Sequence, residues 1–158
     1  MCRAMGLLEA SWTVEIDAPM QEVFDVAADV PASTAWQPAL QTVETLETDD
    51  QGRATLVDST SDAKVKTTHQ RLRFSYEDEP AGMSWVQEKG DTKSLNGRWI
   101  FEELDGGART RATFDLVADP GRILGMLLRG PAEGKVKEFL TKGAAEGLKE
   151  YVENPGAR

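Results

Sequence analysis

The sequence predicts an α+β fold: one strand, two short helices, six further antiparallel strands and a long C-terminal helix. Three observations carry this. Leu8 to Asp17 alternates apolar and polar residues and runs straight into a proline-started helix. From Leu40 to about Val117 only strand and turn signals occur. After Pro131 the pattern changes to apolar residues at three- and four-residue spacing over five turns.

Each element follows from its residues. In the first strand Leu8, Ala10, Trp12, Val14 and Ile16 share one face and Glu9, Ser11, Thr13, Glu15 and Asp17 the other. Pro19 supplies a helical φ where a missing N–H costs nothing, and Met20, Val23, Phe24 and Ala27 give the helix one buried face. Pro31 ends it, and a short helical turn over Ala32–Ala35 leads to Trp36 and Pro38. Six strands follow: Leu40–Thr48, Ala54–Thr60, Val65–Glu77, Ser84–Glu88, Leu95–Leu104 and Arg109–Val117. They are punctuated by Asp49–Gly52, Glu79–Gly82, Lys89–Asp91 and Asp105–Gly107, and such short connections imply an antiparallel meander. In the last helix Val136, Phe139, Leu140, Gly143, Ala144, Gly147, Leu148, Tyr151 and Val152 form one apolar stripe that needs the sheet as its partner. Asn154-Pro155-Gly156 stops it near Glu153.

Composition narrows the function classes. At 158 residues, 40% hydrophobic and 28% charged, the chain reads as one globular domain over 1–158 with its core at about 8–153. A net charge of −9 disfavours nucleic acid and anionic membranes as partners of the whole molecule. Cys2 is the only cysteine and His69 the only histidine. Internal disulfides and thiolate metal cages are therefore excluded, and no metal or cofactor is implied. With no secretory signal and no membrane-length apolar run, a cytoplasmic location is the expectation.

The order of elements resembles the helix-grip fold of the START/Bet v 1-like superfamily, especially the polyketide cyclase/dehydrase (SRPBCC) group. The residues that carry the likeness are Ile16-Asp17-Ala18-Pro19, Val23-Phe24-Asp25, Asp29-Val30-Pro31 and Trp36-Gln37-Pro38, then Ser84-Trp85, Asn96-Gly97-Arg98-Trp99 and the closing amphipathic helix. The resemblance covers roughly Leu8 to Glu153. It implies a seven-stranded antiparallel sheet curled around the long C-terminal helix, with a largely apolar cavity between them. Members of that superfamily include lipid carriers, hormone receptors, aromatase/cyclases and chaperone activators, so the fold alone does not select an activity.

On this expectation the cavity-lining candidates are Trp36, Phe74, Tyr76, Trp85, Trp99, Phe101, Phe139, Gly143 and Gly147. The two glycines have two readings, room for a ligand beside the helix or close approach of another backbone. His69 falls out of step with Leu72, Phe74 and Tyr76, which puts it on the outer face. Asp58, Arg71, Asn96 and Arg98 read as solvated outer-face residues. Asp119 to Pro131 is a loop in which Ile123, Met126 and Leu127 sit between glycines beside Arg122 and Arg129. It reads either as a lid at the cavity entrance that touches a membrane or protein, or as a short helix plugging the core or a homodimer contact. Three functions compete: carriage of a small hydrophobic ligand (lipid, isoprenoid or polyketide-like), polyketide aromatase/cyclase or dehydratase activity, and a protein-interaction module of the chaperone-activator type. The first is preferred.

Overall fold

The computed structural model describes residues 7–157, so Cys2 lies outside the described residues. Strand β1 (Leu8–Ile16) is followed by α1 (Met20–Ala28) and a 3₁₀ turn (Val30–Ala35). Six strands then run in succession: β2 (Leu40–Thr48), β3 (Ala54–Asp62), β4 (Thr67–Ser75), β5 (Gly82–Gly90), β6 (Ser94–Leu104) and β7 (Arg109–Asp119). Two helices close the chain, α2 (Gly121–Leu127) and α3 (Pro131–Glu153). All seven strands form one antiparallel sheet in the order β1-β7-β6-β5-β4-β3-β2, so the first strand closes beside the last. This is the helix-grip arrangement, with α3 held against β1 and β7.

Several boundaries differ from the sequence expectation: β3 runs on to Asp62 and β7 to Asp119, β5 extends over Gly82–Gly90, and β6 begins at Ser94. Strand β4 is shorter at both ends than Val65–Glu77, because the chain turns through Ala63–Lys66 and again after Tyr76. The segment read as a loop over Asp119–Pro131 contains the two-turn helix α2. Its Leu124 and Leu128, four residues apart, are buried against Val136 and Leu8.

The register defines two ends of the sheet. At one lie Leu8 paired with Ala118, Ser94 with Asp119, Gln70 with Gly90 and Ser61 with Thr68, and α2 covers this end. At the other lie Ile16, Met83 and Phe101, and α1 covers them: the Phe24 ring meets Phe101 edge-on at 6.5 Å between centroids. The α1 end is solid core, where Phe24, Val23 and Ile16 are fully buried.

The apolar stripe of α3 splits into two rows. Val136, Ala144, Leu148 and Val152, with Thr141 and Ala145 beside them, face the core. Phe139, Gly143, Gly147 and Tyr151, each four residues apart, line instead an outer groove against residues 34–38. One helix face cannot present the whole stripe to one surface, so the flanking row packs elsewhere.

Candidate functional site

Between the α2 end and the aromatic middle of the sheet lies an internal cavity of about 140 Å³. Its walls come from every layer of the fold. The sheet contributes Phe74, Trp85, Trp99 and Phe114, and α2 and α3 contribute Leu124, Leu128, Val136 and Leu140. Trp36, held by the 3₁₀ turn through Trp36 N–H to Ser33 O at 3.2 Å, closes one side. The rings pack on one another: Trp99 and Phe114 edge-on at 4.9 Å, Phe74 and Trp85 at 5.5 Å, Trp36 and Trp99 at 6.1 Å between centroids. Trp85 lies flat on Gly97 across the strand pair, since a Cβ at residue 97 would meet the indole at 2.3 Å. Only a residue without a side chain lets that ring lie against the sheet.

The polar side chains of the wall gather mainly on its β3–β4–β5 side, and Ser33, Gln37 and Lys137 add others elsewhere in the lining. Along β4 the inward row reads Thr68, Gln70, Leu72, Phe74 from the α2 end inward; along β3 it reads Ser61, Ser59, Val57. Gln70 is nearly fully buried, its Nε2 donates to Thr68 Oγ1, and Ser59 and Ser61 Oγ approach its Oε1 at 3.5 Å. Beside it Thr92 Oγ1 donates to Gln87 Oε1 at 2.8 Å, and Gln87 Nε2 donates to the Thr92 carbonyl at 2.8 Å. Trp36 adds a buried Nε1–H without a hydrogen-bond partner among the described residues. A buried orphan donor costs about 1–3 kcal/mol, so an acceptor beside it would be stabilising. Among the described residues Lys137 is the one ionisable side chain of the lining, and it is ion-paired with Glu133 at 3.3 Å.

Of the residues singled out in the sequence, Trp36, Phe74, Trp85 and Trp99 line the cavity. Tyr76 and Phe101 do not. They sit toward the α1 end, where Phe101 stacks under Trp99 and the Tyr76 hydroxyl donates to the Ala54 carbonyl at 2.6 Å. Burial pushes the Tyr76 phenol well above its ordinary pKa. Phe139 lies outside, with Lys64 Nζ 3.9 Å from its ring centroid. Gly143 and Gly147 also face the outer groove, and close approach is the reason for Gly147. A Cβ there would stand 1.8 Å from the Trp36 carbonyl oxygen. Trp12 is likewise not core: it is 37% exposed under Lys142.

On α2 the outward side chains are Ile123, Met126 and Leu127, exposed by 77%, 59% and 47%. They do not touch the cavity, whereas Leu124 and Leu128 at the same end form part of its wall. His69 is exposed on the outer face, its Nε2 3.9 Å from Asp58. The irregularity between β4 and β5 leaves the alternation of β4 intact, because the extra residue, Glu88, belongs to β5. Asp58 and Arg71 pair through two hydrogen bonds of 2.8 and 3.1 Å, and the guanidinium holds the Asp58 carboxyl below its usual range. Arg98 pairs with Asp115 at 3.0 Å. Among the described residues no group of three or more His, Cys, Asp or Glu side chains is placed to hold a metal ion. No described helix is long and apolar enough to cross a membrane.

The inner polar group of Ser59, Ser61, Thr68 and Gln70 is not among the residues singled out in the sequence. Period-2 counting backwards from Leu72 and forwards from Val57 reaches it.

A sheet wrapped on a C-terminal helix, with an aromatic-walled cavity between them, defines a protein of the helix-grip fold. The family model described as "Polyketide cyclase / dehydrase and lipid transport" matches residues 16–142, and the chain belongs to that family. No curated protein matches the sequence. Among solved structures it is similar to a START superfamily protein from Mycobacterium smegmatis, with 20% identity, 93% of this chain and 98% of that one covered, and a TM-score of 0.79. It is also similar to TTHA0849 from Thermus thermophilus, with 21% identity, 91% and 96% coverage and a TM-score of 0.78. The Zhui aromatase/cyclase from a Streptomyces species shows 20% identity, 95% and 96% coverage and a TM-score of 0.77. At these identities the likeness is one of fold.

Proposed function

We propose that the chain binds and carries a small hydrophobic ligand in the internal cavity. The carrying observation is the wall itself: packed aromatic rings and aliphatic side chains, with Lys137 as its one ionisable group among the described residues and that group already paired. Such a lining gains affinity by removing apolar ligand surface from water, about 25 cal/mol per Å². A cyclase or dehydratase reading needs an inward acid or base free to move a proton, and His69 and the Asp58–Arg71 pair lie on the other face of the sheet. These placements favour carriage over catalysis.

Volume limits what fits. A cavity near 140 Å³ takes about one benzene-sized ring. A lipid, isoprenoid or multi-ring ligand requires the wall to move, and α2 is the part that can. It is short, its segment meets the cavity through Pro120, Leu124 and Leu128, and its other face is exposed. Ligand then passes under α2, and the exposed Ile123, Met126 and Leu127 are the surface available to a membrane or protein donor.

Native mass spectrometry of the purified protein, followed by extraction of any co-purified small molecule, tests the reading. An apolar molecule released at one per chain is the expected result. A bare-chain mass, together with no change of tryptophan fluorescence on adding hydrophobic aromatic probes, would overturn it.

A further inference from the structure

The polar group at the α2 end of the cavity has no role in an all-apolar carrier. Ser59, Ser61, Thr68 and Gln70 converge from two paired strands, Ser59 opposite Gln70 and Ser61 opposite Thr68. All four line the cavity, and Ser59, Thr68 and Gln70 are buried. Buried polar groups stabilise a protein only when well hydrogen-bonded. Apart from the bond from Gln70 Nε2 to Thr68 Oγ1, the contacts here are poor: both serine hydroxyls reach Gln70 at 3.5 Å, and Thr68 Oγ1 reaches the Ser61 carbonyl at 3.5 Å, the outer limit of a hydrogen bond. The group is therefore built from rotatable hydroxyls and an amide that presents a donor and an acceptor, and most of its internal bonds are weak enough to exchange for better ones.

We infer that this group is a recognition site for the neutral polar head, a hydroxyl or ketone, of a ligand whose apolar ring lies against Phe74, Trp85 and Trp99. The inference rests on the ligand-carrying reading and specifies its ligand class. Direction comes from the strand rows. On β3, β4 and β5 the inward side chains change from polar at the α2 end (Ser61, Thr68, Gln87) to apolar further in (Val57, Phe74, Trp85). The ring enters first and the head stays near α2. Charge disfavours the alternative head groups: among the described residues no free cation lines the cavity to meet a buried carboxylate or phosphate, since Lys137 is held by Glu133. A hydroxyl or ketone exchanges the long contacts around Gln70 for short ones without burying charge.

Three probes that share a methyl-substituted benzene ring test this: toluene, para-cresol and para-toluate, titrated into the full chain at neutral pH by calorimetry, with tryptophan fluorescence as a second readout. A single net neutral hydrogen bond corresponds to roughly fivefold in affinity, so para-cresol is expected to bind about fivefold more tightly than toluene. Para-toluate is expected to bind more weakly than para-cresol. In Gln70→Leu the preference for para-cresol over toluene is expected to vanish while toluene still binds. Gln70→Met, of similar length to glutamine, takes its place if the leucine variant does not fold. A preference retained in the variant, equal binding of toluene and para-cresol to the wild type, or toluate binding as tightly as cresol overturns the inference and leaves the carrier reading standing. Failure of all three probes to bind the wild type overturns both.

Discussion

Gly147 offers the sharpest test of how α3 is seated. A Cβ at this position would lie 1.8 Å from the Trp36 carbonyl oxygen and 3.0 Å from its carbon, whereas ordinary contact begins at 3.4 Å. Helix and loop would have to separate by about 1.6 Å, the difference between 3.4 and 1.8 Å. The loop cannot swing away freely. Gln37 N–H is bonded to Ser33 O at 2.9 Å, Leu40 N–H to Gln37 O at 3.1 Å, and the Trp36 ring is buried in the cavity wall. Overpacking of this kind costs about 1–3 kcal/mol, and a backbone oxygen as the obstacle places it at the top of that range. Alanine returns about 1 kcal/mol of helix propensity, leaving Gly147→Ala less stable by about 2 kcal/mol.

One turn earlier the geometry reverses the sign. A Cβ at Gly143 would stand 3.4 Å from Pro38 Cγ and 3.6 Å from Cδ, which is ordinary packing. Gly143→Ala therefore keeps the propensity gain and is expected to be more stable by roughly 0.5–1 kcal/mol. In urea unfolding followed by tryptophan fluorescence and helical circular dichroism, the two variants should fall on opposite sides of the wild type. For a chain of this size that corresponds to a Tm lowered by about 4–8 °C for Gly147→Ala and raised by about 1–4 °C for Gly143→Ala. Equal stability of the two variants would refute the close-approach account and revive the idea that the glycines leave space for a ligand.

Other contacts of the fold give further expected outcomes. Gly97→Ala puts a Cβ 2.3 Å from the Trp85 indole and displaces that ring from the cavity wall, so a loss of about 1–3 kcal/mol and altered tryptophan emission are expected. Unchanged emission would count against the stacked geometry. Tyr76→Phe removes the hydroxyl that donates to Ala54 O at 2.6 Å and should cost about 1 kcal/mol near neutral pH. The Tyr76 pKa is raised in the fold, mainly by burial, so its contribution is full below its ordinary value of 10.0 and is lost as pH rises above it. Wild type and Tyr76→Phe should converge in stability under alkali, and a constant gap would contradict the burial. Leu127→Asp, on the exposed side of α2, should change stability by less than about 0.5 kcal/mol while slowing delivery of a hydrophobic fluorophore from vesicles. Undiminished delivery would remove the outer face of α2 from the path.

The sequence is most informative where one physical signal decides the element. Strand β2 has the bounds that its flanking turns predict, Leu40 to Thr48, and α3 starts at Pro131 and stops before Asn154-Pro155-Gly156. It is least informative where two surfaces compete for one side chain. Phe139 and Gly147 belong to the same apolar stripe as Leu148, and spacing alone cannot say which of them meets the sheet and which meets residues 36–38. Helix α2 is masked by its glycines, although Leu124 and Leu128 stand at helical spacing. The polar row escapes a reading by composition because Thr68 and Gln70 are inward residues of types that usually face water.

The cavity arises from small side chains in a complete sheet. At the α1 end Ile16, Phe24, Met83 and Phe101 fill the space between sheet and helices. Toward the α2 end the corresponding lining includes Ala10, Ala39, Ser59, Ser61, Ala63 and Ala118. At about 24 cal/mol per Å³, a volume of 140 Å³ that the side chains do not fill corresponds to roughly 3 kcal/mol of side-chain packing left unmade. That is a sizeable fraction of the about 5–15 kcal/mol by which a domain is stable. Larger side chains at the alanines would fill the void within the same backbone, so the deficit is a property of the side chains chosen. An apolar ligand restores the missing contacts without altering the fold and thereby raises stability in proportion to its occupancy. The hollow end is thus a part of the molecule where packing is incomplete and where a bound ring would add stability.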